Sequence, residues 1–158
     1  MAVVSAIPVV IDGLVTVANG LELTDAEVLD GFGLSGETDS FLMIGVDDPD
    51  TDQAAKSATS TQDWAHLNNF QRDQLGSVWC VAQAWTGDDD QKVARDAAYA
   101  IVNAFATAVR AAPDLGVVPD SLAYLLTGFA GTEDLDQQRA RNGAVARVTF
   151  QISFHARV

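Results

Sequence analysis

The last thirteen residues of the chain, ARVTFQISFHARV at positions 146–158, decide the fold. Apolar side chains occupy every second position, and polar side chains occupy the positions between them. The apolar set is Ala146, Val148, Phe150, Ile152, Phe154, Ala156 and Val158. An unbroken period of two predicts a β-strand with one dry face and one wet face. The wet face is basic at both ends, through Arg147 and Arg157, in a chain whose net charge is -13.

An Asn142-Gly143 pair stands before this strand and predicts a tight β-hairpin of type I′, because both residues accept positive φ. A two-residue loop there would set three cross-strand pairs: Arg141 with Ala144, Arg139 with Ala146, and Gln137 with Val148. Polar side chains would then lie beside the apolar side of the last strand. Two interpretations remain open: the register slips, or a hairpin over residues 133–152 projects from the core into a partner.

Hydrophobic periodicity places the remaining elements upstream of this hairpin. In chain order it predicts an N-terminal helix with an apolar stripe from Val3 to Ala18, strands near 27–29 and over 41–46, an extended segment within 53–70 that ends near Trp64 and Leu67, a strand over 75–86, a helix with an apolar ladder from Val93 through Ala97 to Val109, and a strand over 121–129. Both faces of the 75–86 segment are apolar, which predicts a central strand covered on both sides.

The resulting order, α-β-β-β-α-β-β, predicts an α+β fold. Its mixed or antiparallel β-sheet would carry an N-terminal helix and one long central helix. A chain of 158 residues is long enough for one domain with a core and short for two, so we expect a single domain over 1–158. Apolar residues make up 48% of the chain, which indicates a folded protein rather than a disordered one.

Composition also argues against several classes of protein. No apolar run approaches the ~20 residues needed to span a bilayer, and the N-terminus lacks the basic segment of a secretory signal. The single cysteine, Cys80, excludes an intramolecular disulfide and suits synthesis in a reducing cytoplasm. The 22 acidic residues against 9 Lys and Arg argue against general nucleic-acid binding, which needs clustered cations.

The charge is unevenly placed along the chain. Residues 1–55 contain eleven acids and no Lys or Arg, whereas residues 139–158 contain four arginines and no acid. These two ends could pair within one subunit or between neighbours; the alternative is solvated surface charge without a partner. The candidate interface residues are therefore Arg139, Arg141, Arg147, Arg157, Asp47, Asp48, Asp50 and Asp52.

The motifs that could carry chemistry each fail at a diagnostic position. DDPDTD at 47–52 has the acid alternation of a calcium loop, but Gln53 stands where that loop needs Gly and Thr59 where it needs Glu, so we predict an acidic turn. GFGLSG at 31–36 lacks the flanking strand and helix of a phosphate loop.

The reactive side chains give no catalytic constellation either. Cys80 with His66 or His155 as a base would be a nucleophile pair, yet Cys80 lies in the middle of an apolar strand and is predicted to be a buried thiol. The two histidines do not have the spacing of a zinc site. We therefore predict no catalytic, cofactor or metal site.

Several segments of the chain form a recognisable set: Q-D-W-A at 62–65, Arg72-Asp73, A-W-T-G-D at 84–88 leading into an Ala-rich helix with an early Arg95, I-D-G-L at 11–14, the FLMIGVDD strand at 41–48, and the final N-G-A-x-A-R-V-x-F strand. Together these segments resemble the tail terminator proteins of long-tailed phages that infect actinobacteria. The resemblance covers the chain from about residue 5 to 158. Departures are a longer, Gly-rich 30–40 region and the stretch DLGVVPDS at 114–121.

The resemblance implies a structural role. Such proteins form hexameric rings at the head-proximal end of the tail tube, end its polymerisation and join the tail to the head. The implied partners are other copies of the chain, the tail tube protein and head–tail connector or neck proteins, with DNA passing through the lumen. The implied place is the virion, and neither a cofactor nor a membrane is involved. The alternatives are another neck or tail completion protein and, from a different class, a small intracellular enzyme using Cys80 or an acidic pair.

Overall fold

The computed structural model describes residues 3–32, 40–66, 70–140 and 142–158. Within them it contains helices α1 (Ile7–Asn19) and α2 (Gln91–Ala111) and strands β1 (Glu27–Asp30), β2 (Phe41–Ile44), β3 (Ala58–Trp64), β4 (Arg72–Thr86), β5 (Tyr124–Ala140) and β6 (Gly143–Arg157). The predicted α+β class and element order are confirmed, with the extended segment supplying β3. Its predicted end near Leu67 and most of the GFGLSG stretch lie outside the described residues.

One mixed sheet organises the molecule, with strands in the order β1-β2-β4-β6-β5. Only β1 and β2 are parallel; every other pair is antiparallel. We call the end where β4 begins at Arg72 the lower end, and the end where it finishes at Thr86 the upper end. One edge of β4 is shared, because β2 pairs with its residues 80–83 and β3 pairs with its residues 72–78.

Strand β6, which contains the alternating stretch, is the centre of this sheet. It pairs with β4 from Ala144 to Arg157 on one side and with β5 on the other. Its dry face is buried beneath the helices, since Val148, Phe150 and Ile152 have no exposed surface. The sequence prediction of one dry and one wet face is confirmed.

Both helices pack on this dry face of the sheet. Helix α1 buries Val10, Leu14 and Ala18, and α2 buries Ala94, Ala98, Ile101, Val102, Phe105 and Val109. Two details of the predicted stripes are wrong. Helix α1 begins only at Ile7, so Val3 and Val4 precede it. In the first turns of α2 the buried positions are Ala94 and Ala98, whereas Val93 and Ala97 are exposed, because the helix is rotated there relative to the predicted ladder.

The described residues cover the opposite face of the sheet only in its upper half. There Phe41, Met43, Val46 and Val81 form a second, smaller apolar cluster, against which Ala55 from the loop between β2 and β3 also packs. Strand β4 is therefore covered on both sides at its middle, as predicted. We call this second face the open face.

A buried glutamine fastens the start of α1 to the lower half of the sheet. The side chain of Gln74 is fully buried; its Oε1 accepts from the backbone N of Ala6 at 2.7 Å. Its Nε2 donates to Ser5 Oγ at 3.0 Å and to Ser60 Oγ at 2.8 Å. Because buried polar groups are costly when unpaired, this network fixes where α1 meets β3 and β4.

The register of the last hairpin differs from the predicted one. Arg139 pairs with Ala144, Gln137 with Ala146 and Leu135 with Val148, so the loop lies one residue earlier than Asn142-Gly143. The expected pair of Arg141 with Ala144 is wrong, and Arg141 lies outside the described residues. Each β5 residue therefore pairs two positions earlier in β6 than predicted. Because side chains alternate between the faces with a period of two, this shift leaves every side chain on its predicted face.

The reason for this register is the position of Gly143. Its φ is +151°, and a Cβ built on it would lie 1.8 Å from the carbonyl oxygen of Thr86. Glycine is therefore required at position 143 because β6 approaches β4 closely at the upper end of the sheet. It does not occupy the second position of the hairpin loop, as had been predicted. In the 133–152 segment, the β6 half lies within the sheet, and the β5 half from Glu133 to Arg139 is exposed at its edge.

Candidate interaction surfaces

The acidic loop and the arginine strand meet within one chain. Arg147 Nη1 lies 2.7 Å from Asp50 Oδ2, and the same guanidinium donates twice to Gln83 Oε1 from Nε at 3.1 Å and Nη2 at 2.9 Å. Asp47 and Asp48 accept backbone hydrogen bonds inside the loop, from Lys56 N at 2.8 Å and Asp50 N at 3.0 Å. Since these carboxylates hold the loop closed, the segment forms the acidic turn that was predicted.

Arg157 has a different partner from the one the charge pattern suggested. It binds Asp73 on β4 in a bidentate manner, with Nε to Oδ1 at 2.9 Å and Nη2 to Oδ2 at 3.2 Å. His155 Nε2 lies 3.9 Å from the same Oδ1. The hydrogen bond from Arg157, aided by its charge, holds the pKa of Asp73 below its ordinary value, although partial desolvation opposes the shift.

The remaining candidate residues occupy separate positions. Arg139 is exposed on β5 near the upper end, and Asp52 is exposed on the acidic loop. The charges of Arg147 and Arg157 are thus neutralised inside the chain, and Arg139 is the described member of the basic set that faces solvent.

An acidic groove of about 550 Å³ crosses the upper half of the open face. It is lined by Asp47, Asp48, Pro49, Trp79, Asp134, Leu135, Asp136, Arg147 and Thr149. Four carboxylates therefore face one guanidinium that Asp50 already neutralises. Sequence reasoning missed Asp134 and Asp136, although their spacing of two on a strand already predicts that they share one face.

On the face of upper β5 that is turned toward the helices, polar side chains lie beside the apolar side chains of β6. These polar side chains find hydrogen-bond partners on α2. Glu133 Oε1 accepts from Tyr99 Oη at 2.6 Å, and Gln137 accepts from Arg95 Nη1 at 3.5 Å. Gln137 also donates to the backbone oxygen of Gln91 at 3.3 Å. The exposed flank of α2 thus supplies polar partners for β5. The hydrogen bond to Glu133 also raises the pKa of Tyr99.

The lower half of the open face carries a shallow apolar groove of about 330 Å³. It is lined by Leu75, Leu126, Thr127, Gly128, Ala130, Ser153, Phe154 and His155. Leu75 is 53% exposed and Leu126 is 49% exposed, on either side of His155 in the same row of the sheet. Tyr124 extends this surface, with its ring centroid 5.2 Å from that of His155.

A second apolar surface lies at the lower end, where β3 gives way to β4. Trp64 and Phe70 contact each other edge to face, with ring centroids 6.4 Å apart. We call this pair the aromatic knob. Neither surface was predicted, because the partners of an exposed side chain depend on tertiary placement; the signal available in the sequence was an aromatic pair beside charged and polar residues.

The thiol and metal hypotheses can be compared with the geometry directly. Cys80 is fully buried, and burial raises its pKa to about 12, so the thiolate needed for nucleophilic attack is disfavoured. Among the described residues, no group of three or more His, Cys, Asp or Glu side chains is arranged to hold a metal ion. In the same part of the chain, neither helix is long and apolar enough to cross a membrane.

The Asp73–Arg157 pair gives a prediction for pH dependence. A carboxyl group with a depressed folded-state pKa stabilises the fold above its ordinary value of about 3.9, and that contribution is lost as the pH falls through the folded-state pKa. We expect Arg157→Gln to return the pKa of Asp73 toward its ordinary value, measured by carboxyl NMR titration. Arg110→Gln, far along α2, is the control; an unchanged Asp73 pKa in Arg157→Gln would contradict the assignment.

Comparison with protein-family models finds none that matches this chain, and comparison with curated proteins finds no matching relative.

Proposed function

We propose that this chain is a structural virion protein that forms a ring at the head-proximal end of a phage tail tube, ends tube polymerisation and joins the tail to the head. The observation that carries the proposal is the uncovered lower half of the open face. Large apolar side chains stay exposed there, including Leu75, Tyr124 and Leu126. Contiguous apolar surface of this kind is uncommon on a monomer and is typical of a subunit interface.

Four of the segments that resemble tail terminators contact one another in two pairs, which supports treating them as parts of one unit. At the lower end of β4, Trp64 of the Q-D-W-A segment pairs with Arg72 of the Arg72-Asp73 segment. At the other end of β4, Gly143 of the N-G-A segment packs against Thr86 of the A-W-T-G-D segment. The shared residues therefore lie at both ends of β4, where it meets its neighbours.

Electrostatics support a role beside DNA without DNA binding. The chain has a net charge of -13, and the upper groove concentrates four of its carboxylates on one side of the sheet. Phosphate groups are repelled by such a surface, because binding a polyanion requires cations that release its counterions. A ring whose lumen is lined by this face would let DNA pass without holding it.

The ring itself needs a heterologous interface, in which two different patches of each subunit meet. Arg147 and Arg157 are neutralised within the chain, so they add little to a contact between subunits. Affinity would come from the exposed apolar surface, and the remaining charges would mainly steer encounter and orientation.

The purified protein is expected to assemble into closed rings, hexamers by the resemblance, visible by negative-stain electron microscopy and weighed by mass photometry. Added to polymerising tail tube protein, it should shorten the tubes and label one end of each. A matched sample heated to unfolding and then added serves as the control. Monomers alone, at high concentration and in the presence of tube protein, would count against the proposal.

A further inference from the structure

We infer that neighbouring copies of this chain dock by inserting the aromatic knob of one copy, Trp64 and Phe70, into the apolar groove on the open face of the next. The inference rests on the proposed ring and names the two patches that would meet. It follows from the shape of the groove, the strain and exposure of the knob, and the apolar area involved.

The groove is a gap that the monomer leaves unfilled. Gly128 lies on its floor, where a Cβ would meet nothing within 4 Å. The nearby hydroxyl of Ser153 already donates to the carbonyl oxygen of Ala130 at 3.0 Å. An apolar occupant of the groove therefore leaves this hydroxyl with its hydrogen bond. At about 330 Å³ the groove holds far more than one water molecule, whose share of liquid volume is ~30 Å³.

The aromatic knob is unfavourable for the free energy of the isolated monomer, because its rings are exposed and its backbone is strained at Phe70. Phe70 is 83% exposed and Trp64 is 62% exposed, so neither ring gains full burial. Phe70 also has a φ of +53°, a conformation that bulky side chains rarely adopt and that smaller residues such as Asn tolerate. A strained, exposed aromatic residue is a pointer to function, and among the described residues its ring contact is with Trp64, which is itself exposed.

The area available suits a subunit contact. An aromatic side chain can bury ~150–250 Å², so at their exposed fractions the knob and Tyr124 offer roughly 400 Å². Because the knob comes from one copy and Tyr124 from the next, this is about a quarter of the ~1,600 Å² that a standard interface buries on both partners together. Leu75, Leu126 and Val4, which is 74% exposed at the same end, add to it.

A second copy is the occupant because the chain itself carries both halves of the contact. The knob lies where β3 meets β4, whereas the groove spans β4, β6 and β5, so the two patches differ and their contact is heterologous.

The test uses two variants of the full chain that each lack one half of the contact. Gly128→Leu fills the groove, and Trp64→Thr/Phe70→Asn removes the knob; Gln138→Leu, on the same strand and face at the upper end, is the matched control. By sedimentation-velocity ultracentrifugation, each test variant alone should remain at the 16.7 kDa monomer mass, whereas Gln138→Leu should form rings like the unmodified chain. An equimolar mixture of the two test variants should form dimers and no rings, because it offers one compatible contact.

Circular dichroism melting separates folding from docking. Phe70→Asn, alone or in the double variant, is expected to keep or raise the melting temperature, because it relieves the strained backbone. If Trp64→Thr impairs folding, Phe70→Asn alone replaces the double variant, with at least a tenfold loss of ring formation expected at limiting concentration.

The outcomes distinguish the inference from the proposed function. Rings from either test variant, or a mixture that forms no dimers, would overturn the docking mode and leave the ring proposal standing. If the unmodified chain stays monomeric with and without tube protein, both fail. If it stays monomeric but binds tube protein through the groove, the second-copy contact is overturned and the tube protein is its occupant.

Discussion

Replacing Gly143 by alanine is expected to cost about 3–5 kcal/mol of folding free energy, summing the strain of an unfavourable φ with overpacking. The new Cβ would lie 1.8 Å from Thr86 O and 2.9 Å from Thr86 C, which are backbone atoms at the end of β4. The backbone there cannot yield locally, because Thr86 is paired with Ala144 across the same strands. Urea denaturation followed by tryptophan fluorescence measures the loss.

Gly128→Ala is the matched control for this experiment. It is also a glycine in the β5–β6 hairpin, yet its Cβ would meet nothing within 4 Å and its φ is not in the left-handed region. Its stability should stay within about 0.5 kcal/mol or rise slightly, because glycine weakens a strand interior. Equal losses in the two variants would show that the close approach at the top of the sheet is not what makes Gly143 necessary.

Phe150→Ala is expected to cost about 3–5 kcal/mol, a large part of the ~5–15 kcal/mol that stabilises a typical domain. Phe150 is fully buried at the centre of β6. Its ring lies 6.2 Å from that of Phe105 on α2 and 5.4 Å from that of Phe129 on β5, measured between centroids. One side chain thus joins the central strand, the long helix and the edge strand, and its removal leaves a cavity shared by all three.

Phe129→Ala removes the stacked partner but not the central ring. Because Phe129 is 39% exposed, water can fill the space it leaves, and we expect a smaller loss of about 1–2 kcal/mol. The same urea titration compares the two variants. A loss below about 1 kcal/mol for Phe150→Ala would mean that β6 is not the organising strand of the core.

Local patterns in the sequence were sufficient for the strands and helices whose burial follows a regular period. Strand β6 was predicted correctly because it is paired on both sides and one of its faces is buried along its whole length, so alternation alone defines its two faces. The α2 stripe was correct in its middle, at Ile101 and Phe105, and wrong at its first turns, where the angle between helix and sheet selects Ala94 and Ala98. That angle is a tertiary property.

Pairings between distant segments could not be predicted to the same degree. The hairpin register depends on Gly143 meeting Thr86, a contact made 57 residues apart in the chain. The arginines of β6 were expected to face acids of the N-terminal third; Arg147 does so through Asp50, but Arg157 binds Asp73 of the adjacent strand. The distribution of charge along a sequence shows which ion pairs are possible. The order of the strands in the sheet decides which of those pairs form.

The shared edge of β4 has a consequence for how the chain avoids fibres. Two sheets can pair edge to edge, and so extend into a fibre, when each presents a straight, uncharged edge strand. On one side the sheet ends in two short steps, β1 above and β3 below, which no single incoming strand can follow. On the other side, the upper half of the edge strand β5 carries three carboxylates, Glu133, Asp134 and Asp136, whose charge disfavours pairing with another strand. Edge-to-edge pairing of sheets is therefore disfavoured along the β1 and β3 edge and along the upper half of β5.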